Sequence, residues 1–240
     1  MEVIVRPSAL AAATFVHDLM VAHLRAQPRT VLGLPTGTSP KTVYAQLVES
    51  FRQGRISFRQ ATTFNLDEYQ GLSPDHPASY AAYMASALFD HVDCPPGQHH
   101  IPNGLAADPK TESNAYEAAI AAAGGIDFML VGLGRNAHIG FNEPGSPFDS
   151  RTRLVTLAPS TIAANAPFFA PGQQIPAQAI SMGIATILAA RRIVVLATGA
   201  AKAAAVRAVL TGPPDPAVPG SALQLARSVT VVLDLEAHGE

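Results

Sequence analysis

The stretch "GLGRNAHIGFNEPG" (132–145) places an asparagine, a histidine and a glutamate in one short loop behind an apolar run. An imidazole can carry a proton near neutral pH, and the flanking Asn136 and Glu143 can fix the tautomer of His138 and tune its basicity. General acid–base chemistry is the reading of this loop. Two rivals fall short. The lone G-x-G lacks the G-x-G-x-x-G spacing that a dinucleotide pyrophosphate needs. His138 and Glu143 stand five apart with no second histidine at ligand spacing, and His76, His99 and His100 sit in proline-rich loops without a partner motif. No metal site is therefore expected. A lone histidine is more often structural; three polar groups in one loop favour a proton carrier.

Three further stretches offer partners. In "FNLDEYQGL" (64–72), Asp67 and Glu68 follow an apolar run on neighbouring positions. Successive side chains of an extended chain point to opposite faces, so one of the two faces a site while the other makes structural contacts. In "LGLPTGTSPKTVY" (32–44), a strand meets a small, hydroxyl-rich turn and then a helix. Ser39 is the expected N-cap, with Pro40 at the first helical position. The backbone N–H groups of Gly37, Thr38 and Ser39 would offer a seat for phosphate, although an ordinary turn has the same composition. It is not a Walker A loop, because no lysine follows the glycine in the required order. In "LATGAAKAAAV" (196–206), Lys202 falls in the first turn of a helix. A cation there opposes the helix dipole by ~0.3–1 kcal/mol unless an anion is near, which points the lysine at a bound phosphate rather than at solvent.

The elements that must hold these residues alternate in kind. Short apolar runs at 2–5, 30–34, 61–66, 126–133, 192–198 and 229–234 read as strands. Helical patterns fill 8–27 (capped by Ser8), 40–54, 79–92, 112–125 and 200–212. Strands apolar on both faces and separated by helices predict an α/β fold: a three-layer, Rossmann-like, mostly parallel sheet with helices on both faces. Proline and glycine in 157–185 predict a mobile excursion, a lid, rather than a core element. No repeat or long linker divides the chain, so one domain over 1–240 is expected. In such sheets ligands bind beyond the carboxyl ends of the strands, where all four stretches fall.

Composition narrows the class. Only 14% of the 240 residues are charged and the formal net charge is -2, which leaves no electrostatic footprint for nucleic acid or an anionic membrane. So sparse a surface charge is compatible with a homo-oligomer, and equally with an alanine-rich sequence style. Cys94 is the only cysteine, so neither an intrachain disulfide nor a thiolate zinc cluster can form. An acid at position 2 and His17–Asp18 rule out a signal-peptide reading, and Arg191–Arg192 interrupt the longest apolar region. A cytoplasmic, soluble protein is expected.

Taken in order, "GLPTGTSPKTVY", "FNLDEYQGL", "GLGRNAHIGFNEPGSPFDSRTR", "AISMGIATIL" and "LATGAAKAAAV" resemble the glucosamine-6-phosphate deaminase (isomerase) family over nearly the whole chain. The paired motifs FN-x-DEY and HIGFNEP, with SRTR shortly after, carry the resemblance; the related 6-phosphogluconolactonases share the sheet and phosphate loop without FNEP. The resemblance implies a modified Rossmann-like fold. It implies conversion of D-glucosamine 6-phosphate and water to fructose 6-phosphate and ammonia, with no metal or redox cofactor. It assigns Asp67 the proton transfer between C2 and C1, and His138 the opening of the pyranose ring. Glu143 and Asn136 would orient the imidazole, and Thr36, Gly37, Thr38, Ser39 and Lys202 would bind the phosphate.

Two departures from the family pattern matter. Members place an arginine just before the two lid phenylalanines, where this chain has Pro167. Losing that charge-assisted contact removes ~1.5–3 kcal/mol of phosphate binding, so a raised KM or a shifted substrate follows unless another cation takes over. Allosteric members carry a lysine soon after SRTR and a longer tail; Val155 stands there, and activation by N-acetylglucosamine 6-phosphate is not expected. The alternatives are a sugar-phosphate sensor, which needs the seat but not two bases, and a related isomerase or lactonase.

Overall fold

The strand periods fix the layers. In the structure, a computed structural model describing residues 1–239, β1 (Glu2–Arg6) leads to α1 (Ala9–Ala26), whose N-cap Ser8 accepts the Ala11 N–H at 3.2 Å. Glu240, the last position of the expected domain, lies outside the described residues. β2 (Val31–Leu34), α2 (Lys41–Arg52), β3 (Thr62–Asn65), β4 (Asp67–Tyr69) and α3 (Tyr80–Ala87) follow. Next come β5 (His99–His100), α4 (Pro109–Ala122), β6 (Phe128–Gly132), β7 (Arg153–Thr156) and α5 (Pro159–Asn165). β8 (Gln178–Ser181), α6 (Ile184–Leu188), β9 (Arg192–Ala197), α7 (Ala203–Thr211), β10 (Val229–Asp234) and α8 (Leu235–His238) complete the order.

Seven strands form one sheet in the order β1-β10-β9-β6-β2-β3-β5, and every pairing in it is parallel. Alternate residues of one strand enter different cores. Phe128 and Leu130 pack with α1 and α2, while Met129 and Val131 pack with residues of α4 and α7. Val194 and Leu196 divide from Ile193 and Val195 in the same way. The expected three-layer α/β architecture is what this alternation builds, each fully buried side chain adding about 1.5–3 kcal/mol.

The strand order reverses between β2 and β6. From β2 the chain proceeds through β3 to β5 on one side, and from β6 through β9 to β10 on the other. The loops leaving β2 and β6 therefore diverge and leave a crevice at the carboxyl edge, the place where such sheets bind ligands. The glycine turn at 35–39 follows β2, and the His138 loop follows β6.

Several local expectations need correction. Asp67–Tyr69, beyond the end of the strand expected over 61–66, forms a strand of a second, antiparallel sheet ordered β4-β8-β7. The excursion expected over 157–185 ends before β8: Ala179, Ile180, Met182 and Ile184 are fully buried. A three-residue strand is too short to show a period, and the preceding glycines and prolines hid the apolar run. His99 and His100 are an edge strand on β3 rather than loop residues, and His100 stacks on Phe64 with ring centroids 4.6 Å apart. The helix expected over 79–92 stops at Ala87 and gives way to a 3-10 turn, Phe89–His91. α4 starts earlier than expected, capped by Asp108.

Candidate active site

Behind β2 the chain turns through Gly37 at φ 105, a backbone state that favours glycine. Pro35 and Gly37 are pinned by their carbonyls, which accept the Tyr44 hydroxyl at 2.5 Å and the Tyr83 hydroxyl at 2.7 Å. Among the described residues, none of the N–H groups from Thr36 to Ser39 donates to another protein group. Four unspent donors at the start of a helix have the chemistry to receive an anion. The Thr36 side chain instead meets the Tyr80 hydroxyl. Ser39 is not the N-cap: Pro40 holds that position at φ -79, ψ -10, with no side-chain cap bond. The Lys41 N–H already closes a turn onto the Thr38 carbonyl at 3.3 Å, so the helix starts without the serine hydroxyl.

The Lys202 turn differs from its expected likeness to that seat. Gly199 N–H donates to both Asp234 oxygens at 2.9 and 3.0 Å, and Ala200 N–H meets Glu236 at 3.3 Å. Those amides are spent, leaving the side chain of Lys202, which ends a 3-10 turn ahead of α7 rather than lying in its first turn. Lys202 is half-buried; burial, then the charge of Arg135, lowers its pKa. Neither cation forms an ion pair among the described residues. Arg135, in the His138 loop, was not singled out in the sequence; its place after β6 was the available signal.

Asp67 and Glu68 part as the alternation of an extended chain requires. Glu68 accepts the N–H groups of Tyr69, Tyr80 and Ala81 at 2.8, 3.0 and 2.9 Å, tying β4 to the start of α3. Among the described residues no group donates a hydrogen bond to Asp67, although it is only 6% exposed. Burial, with the Glu68 charge beside it, pushes its carboxyl up to about 8. The His138 loop lies directly against it: a Cβ at Gly140 would stand 3.5 Å from Asp67 Oδ2. The Phe141 N–H donates to Ser181 Oγ at 3.0 Å, and Ser181 is the ladder partner of Asp67.

His138 is seated by its own loop. Gly134 N–H donates to the His138 carbonyl at 2.8 Å, and a Cβ at Gly134 would fall 2.4 Å from ring atoms of His138. The second glycine of G-x-G thus makes room for an imidazole, not for a pyrophosphate. Ala137 is held at φ 64, an unusual state for a residue with a side chain, with its carbonyl fixed by Gly220 N–H at 2.8 Å. His138 Nδ1 is buried and 3.5 Å from Glu143 Oε2, beyond normal hydrogen-bond length. Asn136 does not reach the ring. Its Nδ2 donates to Glu143 Oε2 at 2.7 Å, and its Oδ1 accepts the His138 backbone N–H at 3.3 Å. Burial would raise Glu143, but contacts from His138, Thr161 and Asn136 outweigh it and hold the carboxyl at about 2.

Other motif residues brace the site. Asn142 Nδ2 donates to the Ile139 and Met182 carbonyls at 2.9 and 2.8 Å, and its Oδ1 accepts from Arg153 at 2.9 Å. FNEP and SRTR therefore clamp the histidine loop to the small sheet. Val155 lies in β7 and packs against the cluster around Tyr69 and Phe141. Pro167 sits in a 3-10 turn, Ala166–Phe168, and Lys41 Nζ lies 5.8 Å from the Tyr83 ring and 5.9 Å from the Phe168 ring. Among the described residues no group of three His, Cys, Asp or Glu is arranged to hold a metal ion, and no helix is long and apolar enough to cross a membrane.

A buried carboxylate on β4, a histidine on the loop after β6 and the glycine turn after β2, at the switch point of a parallel sheet, are the arrangement of an α/β enzyme. The sequence matches the family of glucosamine-6-phosphate isomerases and 6-phosphogluconolactonases over residues 7–232, and the chain belongs to it. It is 50% identical to a glucosamine-6-phosphate deaminase of Hahella chejuensis, covering 99% of this chain and 90% of the relative. With one of Rhodopirellula baltica it shares 52%, covering 97% and 93%. A solved monomeric glucosamine-6-phosphate deaminase, 43% identical, superposes with a TM-score of 0.97 over 99% of each chain.

Proposed function

We propose that this chain isomerises and deaminates D-glucosamine 6-phosphate to D-fructose 6-phosphate and ammonia, a step of amino-sugar catabolism. The observation that carries the reading is Asp67: a buried carboxylate with no hydrogen bond among the described residues, lying against the loop that carries His138. The phosphate docks on the amides of 36–39, with Lys202 as counter-charge. His138, backed by Glu143, moves the proton that opens the ring to the aldehyde. Asp67 takes the proton from C2 and returns it to C1, giving a ketimine at C2. Water adds there and ammonia leaves. One base near two adjacent carbons and a second near the ring oxygen meet the geometric demand of this sequence.

A monomer is the assembly this reading favours, on the likeness to the related monomeric deaminase. A cytoplasmic location fits the phosphorylated substrate and the single buried Cys94, whose thiol burial, with Asp93, pushes up to about 11. The test is ammonia release from glucosamine 6-phosphate, with Asp67→Asn and His138→Gln as controls. Turnover abolished by Asp67→Asn supports the reading. Binding without turnover in the unmodified chain turns it toward a sensor, and turnover of another sugar phosphate alone toward a different isomerase or lactonase.

A further inference from the structure

The two oxygens of Glu143 face different parts of the molecule. Oε2 serves the histidine loop: it accepts from Asn136 Nδ2 at 2.7 Å and stands 3.5 Å from His138 Nδ1. Oε1 serves the excursion: it accepts the Thr161 hydroxyl at 2.5 Å and the Ala158 N–H at 3.3 Å. Thr161 belongs to α5, is itself buried, and lies 18 residues from Glu143 in sequence. A carboxylate offers about four lone-pair directions, and three of these are taken by fixed donors. Its plane is thereby set, and with it the direction from which Oε2 meets the imidazole.

We propose that Thr161 is a positioning residue that couples the seating of the 158–177 excursion to His138 through Glu143. The inference rests on the proposed role of His138 as ring-opening base and extends it to a residue on the excursion. Among the described residues His138 Nδ1 is buried with no partner at normal hydrogen-bond length, and Glu143 Oε2, 3.5 Å away, is the acceptor in place to receive its proton. A small rotation of the carboxylate decides whether that contact closes or opens. When α5 is seated, Thr161 and Ala158 hold Oε1 and the rotation is prevented. When α5 lifts, both donors leave together and the carboxylate is fixed from one side only. Substrate enclosed under the excursion and an imidazole oriented for proton transfer then occur in the same state of the enzyme.

The alternative is that Thr161 only fastens α5. That role would move KM and stability without reaching the imidazole. Thr161→Val removes the hydroxyl at nearly constant volume, and Thr161→Ser keeps the hydroxyl while losing a methyl. Losing a hydrogen bond to a charged group is expected to lower kcat in Thr161→Val by roughly tenfold or more, with a smaller change in KM. Thr161→Ser should recover most of the rate. Nitrogen chemical shifts of the His138 ring, assigned with His138→Gln, report which nitrogen carries the proton and do not depend on turnover. They should change in Thr161→Val and stay near wild type in Thr161→Ser. Unchanged ring shifts and unchanged kcat in a folded Thr161→Val protein overturn the proposal, as does a serine variant as impaired as the valine one. If the unmodified protein releases no ammonia while the ring shifts respond as described, the coupling stands and the assigned reaction falls.

Discussion

Asp67 and Glu68 are neighbours in the chain with opposite hydrogen-bonding situations: among the described residues, Glu68 accepts three backbone N–H groups and Asp67 accepts none. The unsatisfied member is the one beside the histidine loop. A buried carboxyl without a protein donor is a poor structural choice and suits a base, since no protein group among the described residues takes its lone pairs.

That base should show itself in pH profiles. The folded-state value of Asp67, about 8, lies above the ordinary 3.8, so the folded chain keeps a proton that the unfolded chain gives up. The stability this group contributes is whole below about 4 and is lost as pH rises through about 8. Asp67→Asn is expected to abolish ammonia release while raising Tm at pH ~9 by several degrees, and far less at pH ~5. In the unmodified enzyme, kcat/KM should climb with pH along a limb near 8, because the base must be ionised. Scanning calorimetry at both pH values and a kinetic pH profile are the measurements; a flat profile through that region removes Asp67 from the role.

Glu68→Gln should behave differently. Its amide cannot accept at both ends as the carboxylate does, so the hold on α3 weakens by ~1–3 kcal/mol. Denaturant unfolding should register the loss, with kcat reduced much less than in Asp67→Asn.

Gly134→Ala tests the imidazole seat. A methyl there would stand 2.4 Å from the ring, while the backbone at 134 is not in the left-handed region. The ring must shift and the fold need not. We expect kcat to fall at least tenfold with a melting curve close to wild type; wild-type kinetics in this variant would mean that ring placement does not matter.

Phosphate affinity should answer to charge. Lys202→Gln and Arg135→Gln each remove a cation that has no carboxylate partner among the described residues, and each should raise KM by roughly tenfold or more with kcat little changed. Inorganic phosphate, used as a competitive inhibitor, should weaken in parallel. Pro167→Arg should lower KM. Lys41, with its ammonium between the Tyr83 and Phe168 rings, is the cation placed to stand in for that arginine, so Lys41→Gln should raise KM further.

Val155 lies in β7 among apolar neighbours, with no charge to offer an anionic effector. Rate curves are expected to be hyperbolic with or without N-acetylglucosamine 6-phosphate. A sigmoidal curve that the effector straightens would contradict this.

Much of the scaffold was legible because strand alternation and helix caps are local. Phe128 through Val131 carry both faces of the sheet in four consecutive letters, and Ser8 marks its helix by side-chain type alone. Where the signal was short or borrowed, it failed. β4 has three residues, β5 has two, and β8 follows a run of glycine and proline that masked it. Ser39 has the chemistry of a cap, yet a backbone turn one residue later made the cap unnecessary.

The site divides along the same line. Sequence alone determined the inventory: a histidine with polar neighbours, a pair of acids at a strand end, and two glycine turns ahead of helices. Side-chain chemistry and period are properties of the local chain. Which acid is free, which turn keeps its amides, and which neighbour Asn136 serves were decided by the tertiary structure. Each depends on how donors and acceptors are shared among segments far apart in sequence: Ser181 beside Asp67, Asp234 on Gly199, Thr161 on Glu143. A lone pair can be spent only once, and no local pattern records who spends it.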